Sequence, residues 1–187
     1  MAVESREIPL GTPAPDFRLS SVGGQTVALD DLTGPALLVA FMCNHCPYVR
    51  HIETAFGRLV ESYASARLAT VAISSNDVDA YPDDRPESLQ AQADRAGWSF
   101  PYLVDDGQQV ALAYGAACTP DLFLFDDNRH LAYHGAFDPS TPGNGLPVTG
   151  ELLRDALELV LSGKPVPEPH RPAMGCSLKW KPGNEPI

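Results

Sequence analysis

Cys43 and Cys46 are the residues of this chain best placed to do chemistry, two thiols separated by Asn44 and His45. An apolar, strand-like run, Ala36-Leu37-Leu38-Val39-Ala40-Phe41, leads into them. Beyond them Val49, Ile52, Phe56, Leu59, Val60 and Tyr63 recur three or four apart, the period of an amphipathic helix. Two sulfurs at a strand-to-helix junction sit at the positive end of a helix dipole, which stabilises a thiolate and draws a thiol pKa from about 8.5 to roughly 3.5–7.5. Such a thiol is nucleophilic at neutral pH, so the pattern predicts redox exchange at sulfur. Asn44 is a good N-cap, and Pro47 suits a first helical turn. A helix from about Asn44 to Arg67 then puts Cys43 at an exposed mouth and Cys46 within the first turn. On that geometry Cys43 attacks and Cys46 resolves. His45 is expected to tune the pair, as an imidazolium that stabilises the thiolate, or else to be an exposed ring of little effect.

The flanking segments alternate between strand and helix patterns. Residues 17–20 and 26–29 flank Gly23-Gly24 and read as an opening β-hairpin. Leu68 to Ser74 is a continuous apolar, β-branched run suited to a strand buried on both faces. A polar stretch from Asn76 to Pro86 follows, in which Asn76-Asp77 reads as a turn. A helix from about Glu87 to Ala96 ends at Gly97. Phe100 to Val104 is a short strand, and Gln108 to Tyr114 a short helix. Residues 121–125 and 131–134 flank Asp126-Asp127-Asn128-Arg129 as an antiparallel hairpin. Thr149 can cap a last helix carrying Leu152, Leu153, Ala156, Leu157, Val160 and Leu161, which Gly163 ends.

At 187 residues with 44% hydrophobic content the chain is long enough for one domain with a sizeable core. A net charge of −11 argues against nucleic acid or an anionic membrane as partner. The charged start of the chain lacks the apolar core of a signal peptide, and a cytoplasmic location is expected. Thiols there are kept reduced, so four cysteines suggest catalysis or metal binding before a structural disulfide framework.

The composition shifts after Gly163, where six prolines fall in the remaining residues. The expected organisation is a domain over 1–163 and an extended, Pro-rich tail over 164–187 without regular structure. Met174, Cys176, Leu178 and Trp180 in that tail predict that it packs back on the domain. Cys176 is either a resolving cysteine or a packed or dimer-contacting thiol. Full extension from Gly163 spans about 45 Å, so it can reach Cys43. Cys118 is open between packing and a redox role. A tetrahedral zinc site drawn from Cys43, His45, Cys46, Cys118 and Cys176 is the metal alternative, weakened by the lack of a second pair at finger-like spacing. His130 and His134 read as surface or packing residues, and Trp98 and Trp180 as packing residues.

Thr119-Pro120, just before a strand, makes a resemblance specific. Together with Cys43-x-x-Cys46, the opening Pro15-Asp16-Phe17 and Gly135, it makes the chain similar to thioredoxin-fold proteins of the peroxiredoxin-like branch, the redoxin or AhpC/TSA group, from about Leu10 to Leu161. The resemblance implies an α/β thioredoxin fold, a central mixed sheet flanked by helices, here with an N-terminal hairpin and a C-terminal tail. It also implies a cis peptide bond at Thr119-Pro120, lying against the cysteines and presenting backbone to an extended substrate. Peroxiredoxins carry Thr-x-x-Cys-Pro and an arginine before the strand; here Cys43 replaces the threonine and Pro120 stands at the arginine. The resemblance therefore implies a thiol–disulfide oxidoreductase in redox homeostasis. The alternatives are a thiol peroxidase acting through Cys46 or Cys43, and a metal-binding or redox-sensing module. The implied partners are a disulfide-bearing protein or small molecule, or a hydroperoxide, and a thioredoxin- or glutathione-type reductant. No organic cofactor is implied, and the oligomer is a monomer or homodimer.

Overall fold

The computed structural model describes residues 1–186. Seven strands form one mixed sheet: β2 (Arg18–Ser21), β3 (Thr26–Ala28), β4 (Ala36–Phe41), β5 (Leu68–Ser74), β6 (Tyr102–Val104), β8 (Asp121–Phe125) and β9 (Leu131–Gly135). Their order is β3-β2-β6-β5-β4-β8-β9. The β4–β5 and β5–β6 pairs run parallel, and the remaining neighbours antiparallel. The parallel pairs require crossovers, which α1 (Pro47–Ser62) and α2 (Pro86–Ala96) supply.

Strand periodicity divides the core. Leu38 and Ala40 of β4 face a layer built on Val49, Ile52, Phe56 and Val60 of α1, joined by α2 and by α4 (Glu151–Leu161). Leu37, Val39 and Phe41 face the opposite side, where α3 (Gln109–Tyr114) contributes Val110, Ala111 and Tyr114. With both faces covered, β4 is buried throughout, and its last residue delivers the chain straight to Cys43 from the middle of the sheet. Among the described residues no helix is long and apolar enough to cross a membrane.

Three local expectations change. The long helix begins at Pro47, not Asn44, with Cys46 in extended backbone as its N-cap. The N–H groups of Asn44 and His45 turn instead to the Asp84 carboxylate, at 2.7 and 3.1 Å. Thr149 does not cap α4. Gly150 occupies that position with φ of 65°, and the Asp138 carboxylate accepts the N–H groups of Thr149 and Gly150, each at 2.7 Å. Finally, the Pro-rich tail does contain a regular element.

That element is β10 (Met174–Ser177), the middle strand of a small antiparallel sheet between β1 (Ala2–Glu4) and β7 (Cys118–Thr119). Its residues lie between the prolines, so every backbone N–H it needs for pairing is present. Beyond it Leu178 is buried in the α3-side core, and Trp180 packs partly buried beside it. The backbone of Lys179 brackets Asp77 and Asn76: it accepts from the Asp77 N–H and donates to Asn76 Oδ1, both at 2.8 Å.

Candidate active site

The loop from Cys43 to Cys46 is held from every side. Gln92 Nε2 donates to the Cys43 carbonyl at 3.1 Å, and Arg50 Nε to the Asn44 carbonyl at 2.7 Å. Arg95 donates to Asn44 Oδ1 at 2.7 Å while pairing with Glu53 at 2.8 Å. Asp84 is the centre of this support. Its side chain is 0% exposed and faces His45 Nδ1 at 2.6 Å and Asn76 Nδ2 at 2.8 Å, besides the two loop N–H groups. Burial penalises the Asp84 charge, but these donors outweigh it and hold its carboxyl below the ordinary value. His45 also stacks on Tyr81, with ring centroids 5.3 Å apart. Its ring is thus oriented by Asp84 and Tyr81 and is not a free exposed side chain.

The second wall is the loop carrying Thr119-Pro120, whose peptide bond is cis. The Asp121 carboxylate anchors it by accepting the Ala117 N–H at 3.1 Å and facing His134 Nε2 at 2.7 Å. His134 is buried and stacked on Phe123, so its place is in packing. This anchoring brings Thr119 between the two sulfurs. Cys43 Sγ is 3.1 Å from Thr119 Oγ1, and the Cys46 thiol donates to the Thr119 carbonyl oxygen at 3.2 Å.

The burial of the pair differs from the sequence expectation. Cys43 is not at an exposed mouth; both Cys43 and Cys46 are 0% exposed. Burial, the neighbouring Cys46 and the Asp84 charge all push the Cys43 thiol well above its ordinary value. Cys46 is drawn down to about 5, first by the hydrogen bond from the Cys43 thiol, against the opposing effect of burial, and then by Cys176 and the Val49 N–H. The Val49 N–H is one of the free donors of the first turn of α1, placed there because Cys46 is the N-cap. The two thiols are coupled, and the N-terminus of α1 favours ionisation at Cys46, whose S–H otherwise donates to the Thr119 carbonyl.

Thr119 does not offer a free backbone edge to an extended substrate, because β10 already pairs with it, Cys176 opposite Thr119. Cys176 is half-buried and its thiol is pushed up to about 11, by burial first and then by Cys46. Cys118 is buried, its Sγ 3.4 Å from the Pro120 carbonyl oxygen, with its pKa raised far above ordinary by burial and the Asp121 charge. The five-residue zinc set does not assemble. Among the described residues, the group with metal-like spacing is Cys43, His45 and Asp84, whose ligand atoms lie within 4.8 Å of one another. Both Asp84 oxygens are already committed as acceptors to the loop, to His45 and to Asn76.

Asp84, Gln92, Glu53 and Arg95 are the supporting residues that sequence reading passes over. Each sits in an ordinary polar or helical context, and only tertiary folding brings them behind the motif. Asn76, read as a simple turn residue, is the link between Asp84 and the tail.

Residues 10–134 match the AhpC/TSA family. The chain belongs to that family. It is similar to a crystal structure of an uncharacterized conserved protein from Geobacillus kaustophilus, with 48% identity, coverage of 98% of both chains and a TM-score of 0.95. It is 25% identical over 151 residues, 80% of this chain and 76% of the relative, to a thiol-disulfide oxidoreductase ResA from Halalkalibacterium halodurans. The thioredoxin domain of a thiol-disulfide oxidoreductase from Bacteroides vulgatus superposes with a TM-score of 0.61 over 81% of this chain and 97% of that one, at 17% identity. The fold is thus thioredoxin-like, as the two halves of the site, Cys43-x-x-Cys46 and Thr119-Pro120, imply.

Proposed function

We propose that this thiol–disulfide oxidoreductase works through Cys46 as its anionic sulfur, with Cys43 as the partner that closes the disulfide. The observation that carries the reading is the position of Cys46: N-cap of α1, beside the Cys43 thiol and the free N–H groups of the first helical turn. Cys46 thiolate attacks one sulfur of a substrate disulfide, forming a mixed disulfide and releasing one substrate thiolate. Cys43 then loses its proton and attacks Cys46 Sγ, expelling the second substrate thiolate and leaving Cys43–Cys46 oxidised. The raised pKa of Cys43 keeps it protonated as a hydrogen-bond donor while Cys46 is anionic. A thioredoxin- or glutathione-type dithiol or thiol returns the pair to the reduced state. The cytoplasm, where such reductants keep thiols free, is the compartment this reading proposes.

A cleft of about 270 Å³ borders Pro120, with Tyr48, His51, Phe137, Arg171 and Met174 among its walls. It offers a substrate a docking surface beside the cis-proline, next to the buried sulfurs but not lined by them.

A thiol peroxidase is the second reading, favoured by the low pKa of a cysteine directly before Pro47. Oxidation of Cys46 by a hydroperoxide would give a sulfenic acid that Cys43 condenses with, losing water. Neither the peroxiredoxin threonine nor its arginine is present to polarise the peroxide. Rapid mixing of the reduced protein with a disulfide and, separately, with hydrogen peroxide distinguishes the two. Disulfide is expected to oxidise the pair faster at equal concentration. Faster consumption of peroxide, with sulfenate trapped at Cys46, would reverse the order.

A further inference from the structure

Both sulfurs of the motif are fully buried, and part of what covers them is β10, which packs on α1 and pairs with Thr119. Cys176 on that strand is only half-buried. Opposite Thr119 in the ladder, Cys176 shares that one residue with both motif sulfurs, since Thr119 Oγ1 is 3.1 Å from Cys43 Sγ and its carbonyl oxygen 3.2 Å from Cys46 Sγ. The Cys176 thiol also bears on the ionisation of Cys46, which places it as the third sulfur of the site.

The approach is built into the chain. A Cβ on Gly175 would fall 2.0 Å from the Thr119 carbonyl oxygen, so only glycine lets the strand come this close. The strand is pinned on either side, by Ser5 N–H to the Ala173 carbonyl at 2.8 Å and by Leu178 N–H to the Ala117 carbonyl at 3.0 Å. Cys176 is therefore held at the motif and does not merely visit it on a loose tail.

We propose that Cys176 is a third redox-active cysteine, which forms a disulfide with Cys46 and carries exchange between the buried pair and the protein surface. The inference rests on Cys46 being the anionic member of the pair. Starting from Cys43–Cys46, the Cys176 thiolate attacks Cys46 Sγ; the Cys46–Cys176 bond forms, Cys43 leaves, and the proton lost by Cys176 goes to Cys43. An incoming thiolate attacks the half-exposed Cys176 Sγ and expels Cys46 as a thiolate, the best leaving group of the three. A second thiolate attacks the mixed disulfide, releasing the oxidised partner and the Cys176 thiolate. Two partner thiols are oxidised and one protein disulfide is reduced. In reverse, the same steps reduce a partner's disulfide.

The test uses the full chain with Cys43→Ser, treated with 5,5′-dithiobis(2-nitrobenzoate). Release of two thionitrobenzoates per chain is expected, with peptides carrying Cys46 and Cys176 cross-linked; adding Cys176→Ser stops the reaction at one and leaves a stable mixed disulfide. Cys43→Ser arrested at one release, without the cross-link, overturns the proposal. In the otherwise native chain, Cys176→Ser or Cys176→Ala, checked for folding by near-ultraviolet circular dichroism, still forms Cys43–Cys46 with the small reagent. Exchange with a protein disulfide falls about tenfold or more; an unchanged rate counts against the relay. Failure of the native chain to form Cys43–Cys46 sinks the oxidoreductase reading itself, which the Cys43→Ser result does not.

Discussion

Cys46→Ser is expected to slow disulfide exchange by roughly a thousandfold or more, since it removes the nucleophile and not a supporting contact. Cys43→Ser behaves differently. It keeps the attacking sulfur and completes the first bond exchange, so a substrate thiol is released; Cys43–Cys46 never closes, and any second release comes through Cys176. Serine at 43 can still donate a hydrogen bond to Cys46, the largest influence lowering its pKa. Stopped-flow release of a chromogenic thiol reads both variants. Equal first-step loss in the two would mean that the charge is not on Cys46. Loss confined to Cys43→Ser would return the attacking role to Cys43, the assignment that follows from the motif when Asn44 is taken as the helix cap.

Asp84→Ala is expected to destabilise the folded protein by about 3–4 kcal/mol, from several buried donors losing their acceptor at once. The groups left behind are the N–H groups of Asn44 and His45, the Asn76 amide and the His45 ring. Urea unfolding at neutral pH measures the difference. Its pH dependence follows from sign. The folded Asp84 carboxyl lies below its unfolded value of 3.8, so its contribution is complete above that pH and is lost as pH falls through the folded pKa. The wild-type advantage should be flat near neutrality and shrink in acid. The same substitution removes the carboxylate that raises Cys43, so the Cys43 thiol becomes more acidic. A variant as stable as the wild type would mean that the loop is held without Asp84.

The sheet and its helices were legible because local and tertiary demands agree there. The run from Leu68 to Ser74 is apolar on both faces and is buried in the middle of a parallel region, and Gly97 ends α2 with φ of 68°. Cys43-x-x-Cys46 and Thr119-Pro120 could be paired because both are local motifs whose neighbourhoods fix their conformation. What escaped was decided over long sequence distances. The helix start moved to Pro47 because Asp84, from another loop, took the N–H groups that Asn44 was expected to organise. The exposure of Cys43 was lost to the closure of the site by distant segments. In the tail the prolines masked four residues, Met174 to Ser177, free to form a strand. Nothing in that short run reveals that its pairing partner is the backbone beside the cis-proline.

The account turns on which sulfur carries the charge. The most direct measurement is a pH titration of the fully reduced protein labelled with carbon-13 at cysteine Cβ, in which each thiol reports its own ionisation. The prediction is a Cys46 midpoint at about 5 and a Cys176 midpoint at about 11, with Cys43 protonated through neutral pH. A Cys43 resonance that ionises below Cys46 would contradict the assignment of Cys46 as the reactive thiolate, and with it the route through Cys176.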